Sequence, residues 1–215
     1  MRLRWKIAQA MELRWWKNYL KRKPVGDYLA LKKLYWDRVL NQLSVEVRKH
    51  AIILDAGCGP AGIFMVLDNQ QVVAVDPLIN EYESTLPHFD RAIYPNVHFF
   101  NNPLEAFEPE QKYDYIFCLN AINHVANIHK SLDNLFSWLA PGGKLILSTD
   151  AHKHSWLKPV FKALPGDILH PHQYDLQEYR DMLLQRGAKI EKEVCLKKGN
   201  IFDYWIWVME KTNHP

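Results

Sequence analysis

Short apolar runs, separated by turns and helical segments, dominate the sequence from residue 51 onward. Each run has the length of a strand, and the segments between runs have the apolar spacing of modest helices. This alternation is typical of a parallel sheet with crossover helices. The predicted strands lie at 52–56, 72–76, 97–101, 113–119 and 144–149.

Two further apolar runs lie near the end of the chain, at 189–196 and 202–209, on either side of a turn at 198–200. Their spacing predicts an antiparallel hairpin. A helix is predicted before them. Asp175 can be its N-cap with Glu178 at position N3, which makes a capping box, and Gly187 can end it.

The first part of the chain has a different pattern. Residues 3–22 place apolar side chains at helical spacing among lysines and arginines, and Pro24 and Gly26 stop this pattern. A second helix is predicted at 28–43, and neither helix belongs to the sheet. We therefore expect a helical extension at 1–48, followed by one domain at 49–215.

A glycine-rich turn follows the first predicted strand directly. Gly57, Gly59 and Gly62 match the dinucleotide pattern G-x-G-x-x-G, and a helix is predicted to begin at 63–67. Glycines allow a tight turn and close approach of a ligand to the backbone. Asp55 distinguishes a dinucleotide site from a site for a positively charged ligand. A carboxylate at this position would repel a pyrophosphate and attract a cationic ligand.

A second acid, Asp76, ends the next predicted strand. A carboxylate there can accept hydrogen bonds from both hydroxyls of a ribose. S-adenosylmethionine combines a ribose with a sulfonium and an ammonium group and has no phosphate. Nicotinamide-dependent enzymes place an acid at a similar position, so Asp76 does not distinguish between the two cofactors. Alternatively, Asp76 is a structural residue that caps a helix or forms a turn.

Four motifs occur in the order found in class I S-adenosylmethionine-dependent methyltransferases. Residues 54–62 resemble the family's motif I, and 73–77, 113–116 and 139–146 resemble its later motifs. The resemblance covers about residues 50–150, and the final hairpin is similar to the family's antiparallel last strand. It implies an α/β, Rossmann-like fold whose seven-stranded, mostly parallel sheet has an antiparallel C-terminal strand and flanking helices. Residues 150–174 would be a cap-like insert.

The resemblance also implies a cofactor site. Asp55, Gly57 and Gly59 would hold the methionine part, Asp76 the ribose, and Asn120 would lie near the transferred methyl group. At the adenine, Asn102 or Pro103 replaces the acid often found in the family, so Asn102 can equally be a turn former. The full predicted cofactor set is Asp55, Gly57, Cys58, Gly59, Gly62, Asp76, Pro77, Asn102, Leu104 and Asn120.

Methyl transfer succeeds largely by holding the reactants in line, so a general base is optional. The candidates are His124 after the fourth strand, and Asp150 and His152 after the fifth. Other histidines near the expected cleft are His154, His170 and His172. For each, a structural or solvent-exposed histidine is an alternative. No metal is predicted, because these residues have no zinc-like spacing.

Composition limits the partners. Apolar residues make up 48% and charged residues 24%, as in a globular protein, and the three cysteines suggest neither disulfides nor zinc. Without a membrane-span or signal-peptide pattern we expect a cytoplasmic protein. Residues 1–33 hold ten Lys and Arg against two acids. This basic segment could meet an anionic acceptor, a nucleic acid or a membrane surface, or it could simply be a solvated helix face. Trp15, Trp16 and Tyr19 could form a lid over the acceptor or pack on the sheet.

The sequence therefore predicts an enzyme that moves a methyl group from S-adenosyl-L-methionine to a small molecule, leaving S-adenosyl-L-homocysteine. One alternative is a nucleic-acid or other macromolecule methyltransferase, but the chain lacks the N-P-P-[YF] tetrapeptide of base-amino enzymes. A catalytically inactive, cofactor-binding regulatory protein is another. A nicotinamide oxidoreductase is opposed by Asp55 and by the final hairpin. The oligomeric state is not predicted.

Overall fold

Seven strands form one sheet in the part of the chain that the computed structural model describes, which is residues 3–153, 172 and 174–212. The strand order is β3-β2-β1-β4-β5-β7-β6. The first five strands are parallel, whereas β7 is antiparallel to both β5 and β6. This confirms the predicted fold class. The strands are β1 Ile52–Ala56, β2 Gln71–Val75, β3 Val97–Phe100, β4 Tyr113–Leu119, β5 Leu139–His152, β6 Ala188–Lys197 and β7 Phe202–Lys211.

Five α-helices accompany the sheet in the described residues. They are α1 Leu3–Leu20, α2 Val25–Leu43, α3 Ile79–Thr85, α4 Ile128–Trp138 and α5 Leu176–Leu184. Both N-terminal helices lie where the sequence predicted them. The predicted capping box of α5 is also confirmed. The Asp175 carboxylate accepts from the Glu178 amide at 2.9 Å, and the Glu178 carboxylate accepts from the Asp175 amide at 2.8 Å.

The core has two layers because successive residues of a strand point to opposite faces. Ile53 of β1 packs in a cluster with Trp36, Val39 and Leu43 of α2. Leu54, its neighbour, packs in a second cluster with side chains of α4 and α5. Helices thus cover both faces of β1, which explains why the strand begins with a run of three apolar residues, Ile52 to Leu54.

The prediction that a helix begins at 63–67 is wrong. Two short 3-10 turns, Gly59–Ala61 and Ile63–Val66, occupy this connection instead. Ile63, Phe64 and Met65 are all buried, so this segment has no polar face to present to solvent as an amphipathic helix would. The turn therefore packs directly into the core beneath α2.

The fifth strand is longer than predicted. It continues to His152 because β7 pairs with it along its whole outer part, up to the pair of His152 with Phe202. Residues 150–152, expected to open the insert, therefore belong to the sheet. The rest of the predicted insert, including 155–164, lies outside the described residues except for positions 153, 172 and 174.

Candidate functional site

A cleft of about 850 Å³ opens at the carboxyl ends of the central strands, between the sheet and the two N-terminal helices. From the sheet side it is lined by eight of the predicted site residues: Gly57, Cys58, Gly59, Asp76, Pro77, Leu104, Asn120 and His124. Side chains of α1 and α2 form the opposite wall, among them Glu12, Trp15, Trp16, Tyr19, Lys32 and Trp36. Open α/β sheets bind ligands at this end of their strands.

The turn after β1 bends because two glycines have backbone conformations that other residues rarely adopt. Gly57 has φ 74° and Gly59 has φ 57°. A Cβ on Gly57 would collide with the Cβ of Ala121, whereas one on Gly59 would point toward Trp16 across the cleft at 3.8 Å. The backbone of Gly59 thus faces the cleft without a side chain.

The amides of this turn are already hydrogen-bonded within the protein. Gly57 and Cys58 donate to the carbonyl of Val75 at 2.7 and 3.2 Å, and Gly59 donates to Asp76 Oδ2 at 3.0 Å. A dinucleotide site would need such amides for a pyrophosphate. The arrangement opposes a nicotinamide cofactor and agrees with a ligand that has no phosphate.

Asp76 follows β2 and presents a carboxylate to the cleft. Its Oδ1 accepts from the amide of Leu78 at 2.9 Å and its Oδ2 from Gly59, which leaves each oxygen one further acceptor position. Burial, followed by the negative charge of Glu12, raises the pKa of Asp76 to about 7. Ribose hydroxyls that donate to this carboxylate would favour its ionised form.

Asp55 and Gly62 lie behind the cleft wall. The Asp55 carboxylate accepts from the amide of Phe64 at 3.1 Å, and burial raises its pKa to about 7. A Cβ on Gly62 would collide with this carboxylate. Both residues therefore shape the turn. Both were predicted to bind the cofactor, but neither lines the cleft.

Asn120 follows β4 directly and has φ 55°, a conformation that asparagine tolerates better than most residues. The backbone N–H of Asn120 donates to the hydroxyl and to the carbonyl of Ser148, each at 3.0 Å. The Ser148 hydroxyl lies 2.6 Å from that of Tyr204, which also lines the cleft. This network connects β4, β5 and β7 at the cleft floor.

At the predicted adenine contact, the structure separates the candidates. Leu104 lines the cleft together with Pro103 and Glu105, whereas Asn102 does not. The Glu105 carboxylate accepts a hydrogen bond from the backbone N–H of Asn127 at 2.7 Å. Glu105 was not predicted, because it lies outside the positions at which the family pattern has an acid.

Of the three predicted catalytic residues, only His124 lines the cleft. Asp150 lies in β5 opposite Tyr204 of β7. His152 is buried, with its ring 4.4 Å from that of Phe202. Since β5 continues to residue 152, both side chains belong to the sheet and not to a loop above it. The structure therefore does not bring Asp150 and His152 into the cleft wall.

The other histidine candidates fall elsewhere. His172 is half-buried near Val125 and Ala126, and burial lowers its pKa. His154 and His170 lie outside the described residues.

Several residues of the N-terminal helices belong to the site without having been predicted. The Trp36 indole donates to the carbonyl of Ala61 at 3.0 Å, which fixes α2 to the turn after β1. The Lys32 ammonium lies 4.9 and 4.7 Å from the ring centres of Tyr35 and Trp36, and burial lowers its pKa to about 8. Glu12 of α1 accepts from the Tyr82 hydroxyl at 3.4 Å.

These residues are far in sequence from the glycine motif, and no local pattern connects them to it. The signal available was the aromatic content of the first helix, from which a lid of Trp15, Trp16 and Tyr19 was one expectation. All three line the cleft. Trp16 also packs edge-to-face on Tyr82, so the helix both covers the cleft and contacts the domain.

Charged side chains of both signs line the cleft. Glu12, Asp76 and Glu105 supply carboxylates, and the negative charge of Glu12 acts on Asp76 beside the glycine turn. Lys32 of α2 and Arg22 and Lys23 of the connection between α1 and α2 supply cations, and Asp27 also lines the cleft. Carboxylates beside the glycine turn suit a sulfonium and an ammonium group. Together with the glycine backbone and the open acceptor positions of Asp76, they fit S-adenosylmethionine. No helix among the described residues has the length and apolar character to cross a membrane.

A methyltransferase-domain family matches residues 28–193. Among curated relatives, the ubiquinone biosynthesis O-methyltransferase of Rickettsia bellii is 32% identical over 164 residues, covering 72% of this chain and 68% of the relative. The enzyme of the same description from Rickettsia akari is 28% identical over 116 residues, and the match spans 46% of its length.

Solved structures share the fold. Magnesium protoporphyrin IX methyltransferase from Synechocystis, with bound S-adenosylhomocysteine, has a TM-score of 0.65 at 18% identity, over 95% of this chain and 94% of that one. A Burkholderia thailandensis 1,6-didemethyltoxoflavin-N1-methyltransferase has a TM-score of 0.64 at 15% identity, over 99% of this chain and 92% of that one. With the family match covering most of the sequence, the chain belongs to the class I S-adenosylmethionine-dependent methyltransferases.

Proposed function

We propose that this enzyme transfers a methyl group to an oxygen atom of a small-molecule acceptor. The observation that carries the proposal is the roofed cleft. Helices α1 and α2 close it opposite the sheet and leave about 850 Å³, a volume suited to a cofactor and a small molecule. The choice of oxygen is supported by the Rickettsia relatives, which are described as O-methyltransferases.

In this proposal the chain acts mainly by positioning. The bound cofactor supplies a methyl group activated by its sulfonium. Asp76 orients the ribose, and the bare backbone of Gly59 lets the methionine part lie against the turn. Lys32 and the aromatic side chains of α2 hold the acceptor on the opposite side, where a cation stabilises a developing oxyanion.

His124 is the proposed proton acceptor. Its side chain lines the cleft next to Asn120, beyond the end of β4. An imidazole is suited to take the proton of an acceptor hydroxyl because its ordinary pKa lies near neutrality. We expect His124→Gln to lower kcat by about 100-fold, with little change in cofactor affinity.

The cofactor site is tested by calorimetric titration with S-adenosylmethionine, S-adenosylhomocysteine and NAD. We expect the first two to bind and NAD not to bind. Asp76→Asn should weaken both by about 10-fold or more through loss of charge-assisted hydrogen bonds. Asp181→Asn, an exposed position on α5, is the matched control. Binding of NAD alone, or unchanged affinity in Asp76→Asn, would overturn the assignment.

The acceptor class is tested by turnover. A panel of hydroxylated small molecules is incubated with the enzyme and S-adenosylmethionine, and formation of S-adenosylhomocysteine is measured. Turnover with one of them that falls in His124→Gln supports the proposal. Turnover with an amine or a nucleic acid, and with none of the hydroxylated compounds, would contradict the choice of acceptor.

A further inference from the structure

Exposed apolar side chains are concentrated on the two N-terminal helices. Of the twelve large hydrophobic residues that are exposed in the described chain, eight lie between residues 7 and 35. Leu31 and Leu34 are 65% and 56% exposed, and Trp15 is 48% exposed. We define the α1–α2 face by its most regular members: Ile7, Met11, Trp15, Tyr19, Leu31 and Leu34. Such a concentration of exposed apolar side chains on two neighbouring helices indicates an interaction site.

On α1 this face is a continuous row. Ile7, Met11, Trp15 and Tyr19 follow each other at intervals of four residues, which places them along one side of the helix. The adjoining row contains Ala8 and Leu20, which are buried against the domain. One row of α1 side chains is therefore buried against the domain, and the next apolar row is exposed to solvent.

Positive charge borders the same row. Lys6, Arg14, Lys17 and Lys21 are exposed on its outer side, and residues 1–33 hold ten basic side chains against Glu12 and Asp27. The Lys23 ammonium also lies over the Tyr19 ring at 4.6 Å. An apolar row with aromatic residues, flanked by lysine and arginine, is the composition of helices that lie in the interface of an anionic bilayer.

We propose that the α1–α2 face docks on the surface of an anionic lipid bilayer, with the apolar row inserted among the headgroups. Charge distinguishes this occupant from others. A second copy of the chain placed symmetrically on the face would bring its lysines and arginines against their equivalents. A nucleic acid would pair with the cations but would leave Ile7, Met11, Leu31 and Leu34 exposed to water.

Docking in this way would bring the cleft opening to the bilayer. Trp15, Tyr19, Leu31 and Tyr35 are exposed and also line the cleft. An acceptor with an apolar tail could then enter from the lipid phase without crossing water. This consequence for the acceptor rests on the proposed function, whereas docking itself does not.

Vesicle flotation of the full chain tests the docking. We expect binding to vesicles of phosphatidylcholine mixed with phosphatidylglycerol, and at least about 10-fold weaker binding to phosphatidylcholine alone. A triple variant, Ile7→Ser, Met11→Ser and Leu34→Ser, changes the face without touching the cleft lining. It should bind the mixed vesicles at least about 10-fold more weakly than the unaltered chain. The matched control, Ile93→Ser with Leu184→Ser, removes exposed apolar side chains elsewhere and should bind as before.

A second pair of variants tests the charges. Lys17→Glu with Lys21→Glu should weaken binding to the mixed vesicles by about 10-fold or more, while Lys189→Glu with Lys198→Glu should not. Titration with S-adenosylhomocysteine shows that each variant is folded and separates loss of docking from loss of the cofactor site. Absence of vesicle binding by the unaltered chain would overturn the proposal. So would retention of binding by the triple variant, or dimers in sedimentation that the triple variant abolishes.

Discussion

The carboxylate of Asp55 occupies the space in which a side chain on residue 62 would begin. A Cβ on Gly62 would collide with Asp55 Oδ2 and approach the carbonyl of Cys58 to 2.6 Å. Gly62→Ala should therefore lower the free energy of unfolding by about 1–3 kcal/mol, as overpacking of a rigid core does. Urea unfolding measures the change.

Gly26 offers the matched control for this substitution. It lies in the first turn of α2, and nothing lies within 4 Å of an added Cβ. Gly26→Ala should leave the stability unchanged or raise it by up to about 1 kcal/mol, because alanine favours a helix. Equal changes in the free energy of unfolding for the two substitutions would contradict the prediction, because they would show that the side chains around Asp55 rearrange to accommodate the added methyl group.

Burial of Asp55 predicts a pH dependence of stability. Its pKa rises from 3.8 to about 7 in the folded chain, so folding favours the protonated carboxyl. This contribution to stability is complete below pH 3.8 and is lost as the pH rises through about 7. Asp55→Asn should lose stability less steeply than the unaltered chain over this range. Urea unfolding at several pH values tests this, with Asp181→Asn as the control, and parallel curves would contradict it.

The hydrogen bond from Trp36 to Ala61 should contribute to stability by fixing α2 on the turn. Trp36→Phe removes the donor and leaves the Ala61 carbonyl without it. We expect a loss of about 1–3 kcal/mol in the free energy of unfolding. Trp5→Phe is the comparison, because the Trp5 indole nitrogen has no hydrogen-bond partner in the structure as described. A loss as large for Trp5 as for Trp36 would assign the effect to packing alone.

Lys32 should react unusually fast with amine reagents. Burial lowers its pKa to about 8, so a substantial fraction of its side chain is neutral near that pH. Acetylation with limiting acetic anhydride at neutral pH, followed by peptide mass spectrometry, should modify Lys32 ahead of the exposed Lys189. Equal or slower modification of Lys32 would show that access, and not its protonation, controls the reaction.

Strands and the glycine turn could be predicted because their signals are local. The first and fourth strands lie at the predicted bounds, since strands buried on both faces form apolar runs that end at turns. The capping box of α5 needs only Asp175 and Glu178 at fixed spacing. Motif order identified the family for the same reason.

Side-chain direction and long-range contacts were not predictable in this way. The motif placed Asp55 at the glycine turn but did not show that its carboxylate points behind the cleft wall. The loop position expected for His152 failed because pairing with β7, fifty residues later, prolongs β5. Glu12 and Lys32 reach the cleft through the packing of α1 and α2, which no spacing rule describes. The domain boundaries and the cytoplasmic location stay predictions.

The position of β7 separates the order of synthesis from the order of assembly. β7 lies between β5 and β6, so β6 leaves the ribosome first and yet has no place in the sheet until β7 arrives. Until then β5 presents an open edge of nine residues, Lys144 to His152, that β7 later pairs. An open edge of this length invites pairing with other chains. Nascent chains interrupted before residue 202 should therefore aggregate, and chaperones that shield strand edges should matter most until β7 has been synthesised.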